Sequence, residues 1–294
     1  MLFSSPSSSF FFLCFLFPYL AGLDIINILI HALIRESSKG KAGIRMVAGA
    51  YYIPKKKPGS TTDQGEDAYF LSEEKGAIGV ADGVGSWILQ GVDSGVYARQ
   101  LMNNAFEAIV SMEPDDGNVD DRIMKRVLDQ AFSNTNARGS STACIIKLID
   151  NCLHVANVGD SGFLLIKKAG DMQKSEIQQH YPNCPFQLGL TNDTPDSALI
   201  FTIEVESGDI LVVGTDGLFD NMFDEEIRDV VKMAAEVGCT PQQVAWAVAE
   251  HAYDKSTNKT AYTPFMQDSL ASGRRFFGGK VDDITVIVAN FVDA

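Results

Sequence analysis

Apolar residues gather in short runs bounded by Gly, Asp, Asn or Ser along most of the chain. They read as strands over 46–53, 67–72, 77–81, 142–149, 152–158, 162–167, 198–206, 209–215 and 284–292, each rich in Val, Ile, Phe or Tyr. Several runs lie only a few residues apart, which predicts hairpins, among them one at Ser207-Gly208 between the runs 198–206 and 209–215. Between these runs the apolar spacing changes to that of a helix. Residues 93–112 place Val96, Leu101, Ala105, Ala108 and Ile109 near one face, and 121–134 are similar. A third helix is expected over 224–237, with Asp224 as its cap. A fourth runs to Tyr253 from Thr240-Pro241 with Gln243, the signature of an N-cap, a first-turn Pro and a capping box. The short strand spacing favours antiparallel pairing, so the expected fold is α+β, with helices covering two packed antiparallel sheets. Residues 178–190 and 255–279 lack strong periodicity and are expected as loops.

The first 45 residues differ from the rest. Phe10 to Leu23 carries no charge, and a second apolar stretch runs from Ile25 to Ile34 before a basic, polar end. Signal peptide, organelle transit peptide and membrane anchor are all open readings. No Lys or Arg precedes Arg35, as a signal peptide would require, and the segment is too apolar for an ordinary transit peptide. Residues 10–34 are long enough to cross a bilayer, but Pro18, Asp24, Asn27 and His31 weaken that reading. The expected organisation is a targeting or membrane-associated segment over 1–45 and one folded domain over 46–294.

Charge narrows the function. With 24 Lys and Arg against 38 Asp and Glu, the net charge is -14. That excludes the basic surface a nucleic-acid binder needs. It would also repel phosphate, so a phosphate-handling site would need local positive charge from bound divalent cations. The five cysteines form no CxxC pair, none is followed by Arg six residues later, and GxxxxGK[ST] is absent. Zinc ribbons, thiol phosphatases and P-loop enzymes are set aside. In Gly159-Asp160-Ser161-Gly162 the order matches part of a serine-protease signature, but none of the four histidines has a matching context, so Asp160-Ser161 reads as a turn between strands.

The acidic residues repeat one form. A buried-looking strand ends in Asp82-Gly83, and another in Asp216-Gly217. Asp282-Asp283 precedes the last strand and Glu66-Asp67 an early one. A single Asp-Gly pair is most often only a turn. If these strands are neighbours, however, their carboxylates converge, and they could stay ionised together only with a counter-charge such as Mg²⁺ or Mn²⁺.

At these residues the chain resembles a known family. Gln64 to Asp67, Val80 to Gly85, Gly139 to Ala143, Ala156 to Gly162, Thr215 to Asn221 and Gly278 to Thr285 fall in the order of the motifs of the metal-dependent protein phosphatases called protein phosphatase 2C. The likeness is to the branch with mitochondrial and plastid phosphatases of the PPTC7 type. It implies a four-layer sandwich, two Mg²⁺ or Mn²⁺ ions, and hydrolysis of phosphoserine and phosphothreonine in phosphoprotein substrates by a metal-activated water. It also implies a plastid or mitochondrial location. Asp82, Asp216 and Asp282 match the catalytic metal ligands, with the Gly83 carbonyl. Glu66 and Asp67 match the holders of metal-bound waters. Two positions depart from the commoner pattern: Thr62 stands where many members carry a phosphate-binding Arg, and Val84 where many carry His. Lys280, Arg274 and Arg275 are candidates for the missing charge and His180 for the acid, each with surface charge or structural histidine as the plainer reading. The departures keep a second function open, a pseudophosphatase or phosphoprotein-binding module. A third, a membrane-tethered scaffold, rests on residues 10–34.

Overall fold

The computed structural model describes residues 43–55, 64–112 and 122–294; the segment 1–42 and Thr62 lie outside them. Ten strands build two five-stranded sheets. They are β1 (Ile44–Ile53), β2 (Asp67–Ser72), β3 (Ala77–Asp82), β4 (Ala143–Ile149), β5 (Cys152–Val158), β6 (Gly162–Ile166), β7 (Met172–Lys174), β8 (Leu199–Glu204), β9 (Ile210–Gly214) and β10 (Ile284–Asp293). Sheet I has the order β1-β10-β9-β6-β7 and sheet II the order β8-β5-β4-β3-β2. Every neighbouring pair is antiparallel. The helices are α1 (Ser94–Val110), α2 (Ile123–Asn134), α3 (Asp216–Phe219), α4 (Asp224–Glu236), α5 (Pro241–Thr257) and α6 (Pro264–Ala271).

The strand alternation assigns each side chain to a layer. Along β10, Ile287, Ala289 and Phe291 pack between the sheets with Ile78, Val80, Ile146 and Val155. Ile284, Val286 and Val288 turn outward onto Val244, Val248 and Ala252 of α5. On sheet II, Cys144 and Ile146 face the other sheet, while Ala143 and Ile145 face α1 and α2. Central strands are therefore apolar on both faces, which is why their sequences read as continuous hydrophobic runs. The result is a four-layer helix, sheet, sheet, helix sandwich. Four cysteines, Cys144, Cys152, Cys184 and Cys239, are free thiols.

Three expectations change. Strands β8 and β9 do not form a hairpin: β8 pairs with β5 in sheet II and β9 with β6 and β10 in sheet I. The Ser207-Gly208 turn exists, with Gly208 at φ +100° and its N–H donating to the Phe291 carbonyl, but it carries the chain from one sheet to the other. Asp224 is the first residue of α4, not its cap. The cap is Phe223, whose N–H donates to Glu226 Oε2 at 2.9 Å. At α5 the predicted box is present: Gln243 N–H donates to Thr240 Oγ1, and Thr240 N–H to Gln243 Oε1. Thr240→Ala is expected to cost about 1 kcal/mol, read from the midpoint of urea unfolding. The stretches 178–190 and 255–279 also hold a small hairpin, Gln179–Tyr181 with Cys184–Pro185, and the helix α6. Among the described residues no helix is long and apolar enough to cross a membrane, and the apolar residues 10–34 lie outside them.

Candidate metal centre

The strand ends put the acidic residues in one place. Asp67 opens β2 directly opposite Asp82 at the end of β3. In sheet I, Gly162 opposes Gly214, and Gly214 opposes Val286. The turn Asp160-Ser161 before β6, Thr215-Asp216 after β9 and Asp282-Asp283 before β10 therefore share one end of that sheet. The two ends meet through hydroxyls. Asp67 Oδ2 accepts from Thr215 Oγ1 and Thr285 Oγ1, both at 2.7 Å, across the gap between sheets. Thr142 Oγ1 accepts from the Asp82 N–H at 2.9 Å and shares a hydrogen bond with Ser161 Oγ at 2.6 Å.

The Asp82-Gly83 corner leaves no room for a larger residue. A Cβ on Gly83 would sit 2.7 Å from the carbonyl oxygens of Glu66 and Ser94. Ser94, at the start of α1, donates from Oγ to Glu66 Oε1 at 3.0 Å. Val84, in the position of the family's His, has an apolar side chain and donates its N–H to the Ser140 carbonyl at 2.9 Å.

Asp282 and Asp283, adjacent in sequence, have different surroundings. Asp283 is buried and accepts three hydrogen bonds: from Tyr52 OH at 2.7 Å, Lys55 N–H at 3.0 Å and Glu66 N–H at 3.1 Å. Asp282 faces charges, with Lys55 Nζ at 3.3 Å from Oδ1 and Lys280 Nζ at 3.3 Å from Oδ2.

The cluster is short of positive charge. Burial, then the charges of Asp216, Asp67, Asp282 and Asp160, push the Asp82 carboxyl well above the usual carboxylate range. Asp82 keeps part of its surface open to solvent. Burial and the charge of Asp283 do the same to Asp67. Burial and Asp216 push Asp160 up to about 7, and Asp220 rises to about 6, chiefly through burial and against the pull of Lys280. Asp67 Oδ1, Asp160 Oδ1 and Asp216 Oδ1 are buried with no hydrogen-bond partner among the described residues.

A pH dependence follows. Asp160 and Asp220 titrate near 7 and 6 when folded, against about 4 when unfolded. Between those values the native state binds more protons than the unfolded state, so stability falls as pH rises. The chelated protein is expected to melt at a higher temperature at pH 5.5 than at pH 7.5, and saturating Mn²⁺ should remove that preference. Melts in EDTA that rise with pH would contradict this charge assignment.

Hard oxygen donors from separate segments suit Mg²⁺ or Mn²⁺. Among the described residues no group of three or more His, Cys, Asp or Glu side chains is arranged to hold an ion unaided. Mg²⁺ is usually held by one or two carboxylates and keeps several waters. The unpartnered oxygens of Asp67, Asp160 and Asp216 are what such ions and their waters would satisfy, so the donor set fits.

The other sequence candidates are placed as follows. Lys280 Nζ lies among Asp216, Asp220 and Asp282. His180 Nε2 pairs with Asp193 Oδ2 at 2.9 Å and its ring stacks on Phe186. It is the neighbouring Gln179 that reaches the cluster, through Asp160 Oδ2 at 2.9 Å, as alternation along a short strand requires. Arg274 and Arg275 are exposed, and among the described residues neither guanidinium reaches the acidic cluster. Asp220 and Lys55 were not singled out from sequence. Asp220 lies within the quoted segment 215–221 and could have been noticed there; Lys55 has no motif.

Comparison with known proteins gives one answer. The family model described as Stage II sporulation protein E (SpoIIE) matches residues 72–292. The chain is 43% identical over 248 residues to "Probable protein phosphatase 2C 80" of Arabidopsis thaliana, covering 84% of this chain and 58% of that one. It is 39% identical over 261 residues to "Putative protein phosphatase 2C 24" of Oryza sativa subsp. japonica, covering 87% of this chain and 80% of that one. The X-ray structure of the photosystem II phosphatase PBCP aligns with a TM-score of 0.74 at 32% identity, covering 83% of this chain and 98% of that one. The catalytic domain of the serine threonine protein phosphatase PstP, in complex with two manganese ions, shares the fold at a TM-score of 0.59 and 15% identity, covering 85% of this chain and 100% of that one. The chain belongs to the protein phosphatase 2C family. It spans a little over half the length of some of the curated relatives it matches, 58% for the first and 55% for "Probable protein phosphatase 2C 55" of Arabidopsis thaliana.

Proposed function

We propose that the chain is a divalent-metal-dependent protein phosphatase that hydrolyses phosphoserine and phosphothreonine. The observation that carries this is the meeting of Asp67, Asp82, Asp160, Asp216 and Asp282, from five separate segments, at one end of two sheets, with three buried carboxylate oxygens unpartnered among the described residues. Asp82, the Gly83 carbonyl, Asp216 and Asp282 would hold two Mg²⁺ or Mn²⁺ ions, and Glu66 and Asp67 would orient waters beside them. Bound there, the ions would lower the pKa of a water and neutralise phosphate charge. The residues themselves do the positioning. The threonine bridge through Asp67 and the Thr142–Ser161 bond fix the two sheets, and so the spacing of the carboxylates. Asp283 fixes the backbone of the Glu66 loop.

The relationship to a photosystem II phosphatase supports a plastid site of action and membership of the plastid and mitochondrial branch, with residues 1–45 as the targeting segment. A fluorescent reporter fused to residues 1–45 is expected to enter plastids; uniform cytosolic fluorescence would end that reading.

A pseudophosphatase has one observation in its favour, the Lys280 ammonium that already neutralises part of the acidic cluster. Turnover separates the two. The full chain with Mn²⁺ is expected to release phosphate catalytically from phosphoserine and phosphothreonine peptides and to stop in EDTA. Peptide binding with no release would favour the pseudophosphatase.

A further inference from the structure

Three carboxylates surround the ammonium of Lys280. Its Nζ contacts Asp216 Oδ2 and lies 2.7 Å from Asp220 Oδ2 and 3.3 Å from Asp282 Oδ2. The side chain is only 17% exposed, and the ring of Phe265 closes it from another side, its centroid 5.3 Å from Nζ.

The backbone is built to keep it there. Asn221 is fully buried. Its Oδ1 accepts from the Lys280 N–H at 2.9 Å, and its Nδ2 donates to the carbonyls of Lys280 and Gly217, both at 2.9 Å. One amide side chain thus ties the lysine to α3, the short helix that opens on Asp216. A solvated surface lysine has no such clamp.

Without the ammonium, the three carboxylate oxygens that converge on Nζ would be left around one point without a counter-charge; they are not spaced to hold an ion unaided, so a divalent cation there would complete its shell with waters. Asp216 divides its two oxygens: Oδ2 meets Lys280, while Oδ1 is buried and has no partner among the described residues. We propose that Lys280 is a resident cation of the metal centre, which fills a third cation position at Asp216, Asp220 and Asp282 and so excludes a further divalent ion from it. This rests on the metal-centre reading above. The charge of one ammonium is fixed in place and cannot be washed out, so this part of the cluster would stay neutralised while the ions at Asp82 exchange.

The test counts bound Mn²⁺ in the full chain by calorimetry and by the paramagnetic resonance of free Mn²⁺. Lys280→Gln is expected to bind one more Mn²⁺ per chain than the wild type. Lys280→Arg, which keeps a cation, should hold the wild-type number. Lys280→Gln combined with Asp220→Asn should return to it. Melts guard against a folding defect: Lys280→Gln should melt lower than wild type in EDTA and gain a larger upward shift from Mn²⁺. The same Mn²⁺ count in wild type and Lys280→Gln, with equal shifts, would overturn the proposal and leave Lys280 as a structural ion pair. A wild-type chain that binds no Mn²⁺ at all would instead overturn the metal-centre reading on which it rests.

Discussion

Asp82→Asn is expected to lower kcat/KM for a phosphothreonine peptide by about a thousandfold, since metal centres supply several kcal/mol of charge stabilisation and each 1.36 kcal/mol is a factor of ten. The substitution keeps the size of the side chain and its N–H bond to Thr142. What it removes is the negative charge at the centre of the cluster, the one felt together with Asp216, Asp67, Asp282 and Asp160. Folding should not suffer. Asp82 is crowded by like charges, so the chelated variant is expected to melt at or above the wild-type temperature. Steady-state kinetics and melts in EDTA check both halves. A variant that is inactive because it is unfolded would speak against this account, as would one that retains wild-type kcat/KM.

Asp283→Ala carries the largest expected cost in stability, about 3–5 kcal/mol, because breaking a buried charged network leaves its partners unsatisfied. Tyr52 OH and the N–H groups of Lys55 and Glu66 would all lose their acceptor. The site would also loosen, since those bonds join β1, the loop before β2 and the start of β10. Gly65 and Gly217 pack so closely on Asp283, on its carboxylate and its carbonyl respectively, that neither would accept a Cβ. The contrast with its neighbour is the useful part. Asp282→Ala, which removes a carboxylate facing Lys55 and Lys280, is expected to change the urea midpoint of the chelated protein little and to weaken Mn²⁺ binding. Equal losses of stability in the two variants would erase the distinction between a structural and a ligating aspartate.

Much of the fold was legible because the central strands are covered on both faces. Runs such as 142–149 and 284–292 are apolar throughout, and their boundaries fall at Gly, Asp or Asn. What the pattern does not carry is sheet membership. Ser207-Gly208 has the chemistry of a tight turn whether its strands pair or part: here β8 lies at the edge of sheet II and β9 in the middle of sheet I. The helix α6 was missed because it has only eight residues, too few to show a period. Its start does carry the signal used for α5, with Thr263 Oγ1 accepting from the Met266 N–H ahead of Pro264.

The candidate site was legible one strand end at a time. Asp82, Asp216 and Asp282 each abut an apolar strand, and that position drew attention to them. Their convergence depends on two sheets meeting, which a linear pattern cannot express. Asp160 illustrates the gap. It is a turn residue by sequence, and it joins the cluster only because β5 of one sheet is followed directly by β6 of the other. Asp283 stands next to the matched ligand Asp282 in sequence, but its carboxylate is taken up by Tyr52 OH and the N–H groups of Lys55 and Glu66.

The central claim is that the carboxylates at this end of the two sheets hold divalent cations. Anomalous diffraction at the manganese edge from Mn²⁺-loaded crystals of the full chain tests it most directly. Two peaks are predicted beside Asp82, one of them also within ligating distance of Asp216 Oδ1. Ordered crystals with Mn²⁺ in excess and no anomalous peak at Asp82 would contradict it.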